Sequence, residues 1–258
     1  MIRPADLAAA LRQPRTLRIR GHRPYPVPER PWVMGQTWED LLFAHWRVDA
    51  TRLGALIPAQ LELDTFDGSA WIGVTPFVVG GVRARFLPPL PGVARFPEIN
   101  VRTYVSFRGR PGILFFSLDT PNRAAVAAAR RVYRLPYYRS AIEVDRDGPR
   151  VSYRSRRIDP CGLRAGLTAD YWPTGPPSQA TPGSFEWWAT ERYCLYTLDE
   201  RQRVLRGDIH HPPWPLQPAQ ASLSDNAMAV QLGLALTGEP ILHLSRRQDV
   251  VFWLNVVA

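Results

Sequence analysis

Glu98, Asn100, Arg102 and Tyr104 occupy alternate positions of one stretch, and Ile99, Val101, Thr103 and Val105 fill the positions between them. Period-two alternation is the signature of a β-strand with two unlike faces. One face then presents a carboxylate, an amide, a guanidinium and a phenol in a row. A carboxylate so placed can hold or release a proton, and a guanidinium can grip a ligand carboxylate through two parallel hydrogen bonds. Glu98 and Arg102 stand four residues apart, too far along a strand for a flush ion pair, which leaves room for Asn100 or a ligand between them. The competing reading is that Glu98 and Arg102 satisfy each other, or that the polar face lies in water, as in many antiparallel sheets.

Other familiar chemistry is absent. A Walker phosphate loop needs a lysine, and all 32 basic residues of the chain are arginine. Neither GxGxxG nor GxSxG occurs, so no nucleotide cofactor or serine nucleophile is expected. The five histidines form no HExxH and no Cys/His spacing, so no metal site is expected either. His210 and His211 are adjacent; on a strand their rings point to opposite faces and cannot chelate one ion. One of them, taken as His210, is a candidate to line a ligand cavity with Trp214. His45 reads as a hydrogen-bonded core histidine. Cys161 sits in a loop without a histidine companion, and Cys194 forms no framework with it. Asp119 reads as a helix cap, whereas Ser117, at the parity of Phe115, joins the ligand-binding candidates.

The elements that must position these groups follow from punctuation. Residues 108–112 form a turn and 113–119 a second strand, making a β-hairpin with 96–107. An alanine-rich helix is predicted over 122–134, capped by Asp119 or Thr120, with Pro121 suited to its start. Pro136 then forces extended backbone, opening a segment with Tyr137 and Tyr138. Strands are predicted at 41–48, 61–66, 70–79, 140–145, 150–156, 192–197, 204–210, 241–246 and 250–256. Short helices are predicted after Asp49, from Thr181 to about Glu191, and over 225–236; residues 158–183, rich in proline and glycine, read as a surface excursion. Strands with a few separate helices predict an α+β fold on a mostly antiparallel β-barrel.

A strand bearing glutamate, a hairpin, an alanine-rich helix and then X-Pro with two further residues resembles the acetoacetate decarboxylase superfamily. More closely, the chain resembles its YqjF-like branch of bacterial proteins. The resemblance is carried by WEDLLFAHWRV (38–48), LDTFDGSAWIGVTPF (63–77), EINVRTYV (98–105), GILFFSLD (112–119), LPYY (135–138), ERYCLYT (191–197), IHHPPWPL (209–216) and LHLSRRQDVVFW (242–253). It implies an acetoacetate decarboxylase-like, cone-shaped barrel with an interior ligand cavity. In the decarboxylases X-Pro precedes two adjacent lysines, the first forming an imine with the β-keto acid. Here Tyr137 and Tyr138 stand in those places. Arginine cannot substitute, because its guanidinium stays protonated. Lysine Schiff-base chemistry is therefore excluded. The resemblance places the strand glutamate at Glu98 and the lysine's position at Tyr137; an enzyme reading uses Glu98 as acid or base and Tyr137 as hydrogen-bond donor to an enolate-like oxygen. Asn100, Arg102, Tyr104, Ser117, Tyr138 and His210 complete the expected ligand-binding set.

Composition bounds the rest. With 258 residues, 45% of them hydrophobic, the chain can bury a sizeable core. Residues 1–31 form a basic, proline-rich N-terminal arm, expected to lie extended on the surface around a short helix near 6–12; residues 32–258 form the barrel domain. A net charge of +9 and a pI near 10.2 fit a nucleic-acid binder. No helix-turn-helix, zinc-finger or RNP pattern accompanies them, and wholesale replacement of lysine by arginine reads as composition bias, so nucleic acid is the weaker partner. No apolar run approaches a membrane span and no signal peptide is visible, so a cytoplasmic protein is expected. The expected partner is a small, anionic molecule, with self-association left open. The expected function is binding, with conversion left open, of a small organic acid or carbonyl compound; the alternative is a non-catalytic binding or sensing protein.

Overall fold

The computed structural model describes residues 3–258. Its strands are β1 (Met34–Val48), β2 (Glu62–Leu63), β3 (Ala70–Ala84), β4 (Phe96–Phe107), β5 (Arg110–Thr120), β6 (Tyr137–Asp147), β7 (Arg150–Arg157), β8 (Gly166–Pro173), β9 (Cys194–Leu198), β10 (Val204–His210), β11 (Gln217–Asn226), β12 (Ile241–Phe252) and β13 (Val256–Val257). Short helices intervene: α1 (Pro4–Arg12), α2 (Ala50–Gly54), α3 (Arg123–Ala128) and α4 (Phe185–Thr190). The strands form one large curved sheet. Along β12, β1, β3, β4, β5, β9 and β10 each strand pairs with the next, and β10 pairs back to β12. A second run, β6, β7, β8 and β11, spans from β5 to β12. All pairs are antiparallel except β5 with β6 and β5 with β9. Among the described residues no helix is long and apolar enough to cross a membrane.

The long strand β1 divides two cores by its alternation. Leu42, Ala44 and Trp46 pack with Val101, Tyr153 and Tyr171 on one side. Leu41 and Phe43 pack with Phe77, Phe96 and Trp214 on the other. Both faces are therefore dry, which is why 41–46 is an unbroken apolar run interrupted only by His45. Each such large side chain contributes roughly 1.5–3 kcal/mol by leaving water. On β4 the same rule sends Ile99 and Val101 into the first core and turns Glu98, Asn100 and Arg102 toward the second.

Several elements differ from the sequence expectations. Residues 158–183 contain β8, whose alternate residues Leu167, Ala169 and Tyr171 are core. Residues 225–236 hold the end of β11 and a single 3₁₀ turn, Val230–Leu232, closed by Gly233 at φ 66°. α3 is capped by Asn122, whose side chain accepts from Ala125 N, not by Asp119 or Thr120; it continues as a π-helical turn through Tyr133 and ends at left-handed Arg134. α4 is capped by Ser184 rather than Thr181.

The short helix expected near 6–12 is present as α1, but the segment around it is docked by buried groups rather than laid extended on the surface. α1 is followed by a 3₁₀ turn, Gln13–Arg18, and Asp6, Ala9, Gln13 and Thr16 are buried. Asp6 accepts from Gly81 N at 3.1 Å, Gln13 donates to Gly81 O at 3.0 Å, and Arg83 Nε donates to Gln13 Oε1 at 2.8 Å. Gly35 leaves room for the Gln13 amide, since a Cβ there would lie 2.2 Å from Gln13 Oε1 and force that side chain to move.

Candidate functional site

β4 and β5 are joined by the tight turn at Arg108-Gly109, both in the left-handed region. Their register carries a one-residue bulge: Arg102 faces Phe115, but Val101 faces Ser117, leaving Phe116 as the extra residue. A bulge reverses the parity of everything beyond it. Ile113, Phe115 and Leu118 therefore share the face of Glu98, Asn100 and Arg102, whereas Ser117 and Asp119 turn to the opposite one.

The first of these faces lines a cavity of about 370 Å³. Most of its wall is apolar, and its charged and amide groups come chiefly from β4. Glu98 is 5% exposed, Asn100 4% and Arg102 7%. Tyr137, at the start of β6 on the far side of β5 from β4, donates its hydroxyl hydrogen to Glu98 Oε2 at 2.8 Å. Arg102 Nε donates to Asn100 Oδ1 at 3.1 Å. The guanidinium carbon lies 5.4 Å from the centre of the Phe43 ring and 6.0 Å from that of Phe115, a cation–π setting. Arg102 makes no ion pair among the described residues. Arg192, the other arginine on the wall, is paired with Asp64 at 2.6 Å.

Burial governs the protonation of this group. It pushes the Glu98 carboxyl from 4.5 up to about 8, outweighing the opposing effects of the Tyr137 hydroxyl and the Arg102 charge; Asp119 adds to the rise. Glu98 is thus largely neutral at pH 7 and can donate as well as accept. The same desolvation lowers Arg102, whose guanidinium nonetheless remains a cation. Tyr137 is raised well above the ordinary phenol range by burial and by Glu98. The arrangement therefore offers an anion grip, a carboxylic acid proton and a phenol that steadies it.

Four residues of the predicted set lie off the cavity wall. Tyr104 has the right parity but is capped by Trp188, at 4.3 Å between ring centres, and bonds to His45 Nε2 at 2.6 Å. Ser117 is removed by the bulge. Tyr138, next in the strand after Tyr137, points the other way and packs 4.0 Å beneath the Arg157 guanidinium. His210 faces the N-terminal segment, bonded to Thr16 O and to Arg23. Its neighbour His211 lines the cavity instead, with Trp214. Asp119 is no cap: it forms a buried two-pronged pair with Arg157, both bonds 2.7 Å, and accepts from Ser140 at 2.6 Å.

Sequence reasoning missed Arg192, His211 and the face of α3 that lines the cavity. For His211 a signal existed, since strand alternation leaves either ring of the pair as the inward one. Behind the wall, His45 is fully buried, and burial followed by the Arg102 charge keeps it neutral. No group of three or more His, Cys, Asp or Glu residues is arranged to hold a metal among the described residues.

A family model described as an uncharacterized conserved protein, DUF2071, matches residues 35–249. The uncharacterized protein YqjF of Bacillus subtilis (strain 168) is 46% identical over 228 residues, covering 88% of this chain and 93% of that protein. Among solved structures, the enduracididine biosynthesis enzyme MppR complexed with pyruvate superposes with a TM-score of 0.62 at 15% identity, over 93% of this chain and 97% of that one. Acetoacetate decarboxylase from Legionella pneumophila superposes with a TM-score of 0.61 at 12% identity, over 92% and 93%. At these identities the likeness is one of fold.

Proposed function

We propose that this chain, which belongs to the DUF2071 family and is a relative of YqjF, binds a small organic acid or carbonyl compound inside the barrel closed by β12, β1, β3, β4, β5, β9 and β10. The observation that carries the proposal is Arg102, a buried permanent cation on a cavity wall with no carboxylate partner among the described residues. A charge out of water requires a counter-charge or dense hydrogen bonding. Arg102 has one side-chain acceptor, Asn100, so a ligand carboxylate is the partner that completes it. Glu98, protonated at neutral pH, donates to a carbonyl oxygen beside that carboxylate, and Tyr137 holds Glu98 in place. These two groups suit proton transfer at an enolising carbonyl. The pyruvate named for one fold neighbour, a carboxylate next to a carbonyl, supports this ligand class.

A second reading, binding or sensing without turnover, is favoured by Tyr137 itself. It stands where the decarboxylases carry their lysine, and it is engaged with Glu98 rather than free to attack.

The test is a thermal-shift screen with short carboxylates and keto acids. A ligand that binds only the native state, at a hundred times its Kd, stabilises it by about 2.7 kcal/mol. That raises the melting temperature of a domain this size by several degrees, at roughly 2–4 °C per kcal/mol. Arg102→Met removes the bidentate donors and should abolish the shift. Tyr137→Phe should weaken binding by about one hydrogen bond, roughly 0.5–1.5 kcal/mol. An unchanged affinity in Arg102→Met would place the ligand elsewhere. Turnover of whichever ligand binds then separates enzyme from sensor.

A further inference from the structure

Four polar groups of the cavity wall come from two elements, while Gln36, Thr190, Arg192 and His211 also reach the wall but are each already engaged in hydrogen bonds or an ion pair. Glu98, Asn100, Arg102 and Tyr137 come from β4 and the first residue of β6. The helix α3 with its π-helical extension also lines the cavity, contributing Ala124, Ala125, Ala128, Ala129 and Val132. These positions recur at helical spacing and form one face. Alanine has no side chain beyond Cβ, so this face is smooth as well as apolar. Aromatic side chains, Trp38, Phe77 and Phe96 among them, continue this apolar wall, and Ala125 packs in the same cluster with them. Ala124, Ala128 and Val132 are also solvent-exposed, Val132 by 50%, so the cavity opens beside this helix.

We infer that the ligand is amphiphilic: a carboxylic acid whose head sits on Arg102 and whose unbranched apolar tail runs along α3 toward the opening. This rests on the ligand-binding reading above and narrows it. A three-carbon keto acid would satisfy Arg102 and leave most of the 370 Å³ to water. Water held against alanine and phenylalanine surface has few partners, and an apolar tail displaces it with gain. A polar ligand of equal size, such as a tricarboxylate or a sugar acid, would leave its further charges or hydroxyls facing that same surface unpaired. The second arginine on the wall offers no additional anion site, because Asp64 already occupies it.

The experiment is calorimetric titration of the full chain with butanoate, hexanoate, octanoate and decanoate. Affinity should rise about fourfold per added methylene, the equivalent of about 0.8 kcal/mol each, until the tail reaches the opening. Ala128→Phe, at an exposed helix position, should truncate the series: octanoate and decanoate lose their advantage while butanoate binds as before. Arg102→Met should weaken every member of the series. Equal affinities for butanoate and octanoate would overturn the tail and leave the organic-acid reading standing. Tight octanoate binding that survives Arg102→Met would overturn the assigned head position. If no acid of any length binds, the organic-acid reading itself fails along with the tail.

Discussion

Gly73 of β3 lies directly across from Arg102 of β4, and the space of its missing side chain is filled by the stem of Arg102 and the ring of His45. A Cβ there would stand 3.2 Å from Arg102 Cγ and 3.3 Å from His45 Cδ2. Neither neighbour can retreat freely, since His45 is held by Tyr104 and Arg102 by Asn100. Gly73→Ala should therefore shift the guanidinium by a few tenths of an ångström and cost about 1–3 kcal/mol as overpacking. The protein should fold, with its melting temperature lowered and its acid affinity reduced more than that of an alanine placed elsewhere on β3. Retained affinity would show that Arg102 does not need this seat.

Glu98 should make stability depend on pH in a defined window. Its native pKa of about 8 lies above its ordinary 4.5, so the native state holds the proton more tightly than the unfolded chain does. The resulting stabilisation is complete below pH 4.5 and is lost as pH rises toward 8. Glu98→Gln cannot ionise and should gain on the wild type across that window. At about 1.4 kcal/mol per pKa unit, the gain at pH 8 should be on the order of a few kcal/mol. Urea unfolding at the two ends measures it. A gap that does not change with pH would mean that Glu98 is already ionised in the native state.

The Asp119–Arg157 pair sits just outside the cavity, with both side chains 1% exposed. Removing one partner strands a buried charge and typically costs about 3–5 kcal/mol. Arg157→Met should be destabilised on that scale. The double variant Asp119→Leu with Arg157→Met should recover a substantial part of the loss, because it strands no charge. A double variant worse than the sum of the singles would assign the pair a role beyond mutual neutralisation.

Removal of residues 1–24 should lower stability by several kcal/mol rather than leave the domain intact. It would strip Gly81 and Arg83 of Gln13, and His210 of Thr16 and Arg23. Each buried polar group so orphaned costs about 1–3 kcal/mol. Chemical denaturation of the truncated protein checks this; an unchanged midpoint would mean that the segment contributes nothing to stability.

Legibility of the fold and site tracked how strongly burial marks the sequence. On β4 alternation separated Glu98, Asn100 and Arg102 from Ile99 and Val101, because two unlike environments select unlike side chains. Whether the polar side met water or a cavity could not be read there, since that depends on α3 and β9, far away in the chain. The bulge at Phe116 left no trace: in an apolar run one extra residue changes no composition, yet it moved Ser117 to the other face. The buried face of the N-terminal segment is Asp6, Ala9, Gln13 and Thr16, helical in spacing but not hydrophobic, so no periodic signal betrayed it. β8 and β11 were hidden by proline and glycine at their flanks and by the helix-favouring residues 227–236, which packing and Gly233 hold to one turn.

Because the cavity's unpaired cation is an arginine, it cannot be discharged by giving up a proton. The neighbouring group that does change charge is Glu98. Once Glu98 ionises, near pH 8, its negative charge acts on Arg102 and disfavours an incoming anion. An anion already seated has the reverse effect and holds the proton on Glu98 more firmly. Near that pH, capture of an anion as proposed would be accompanied by partial proton uptake at Glu98. On the proposed reading, the hold on an anion at Arg102 therefore weakens as pH rises through about 8 and is strongest below it.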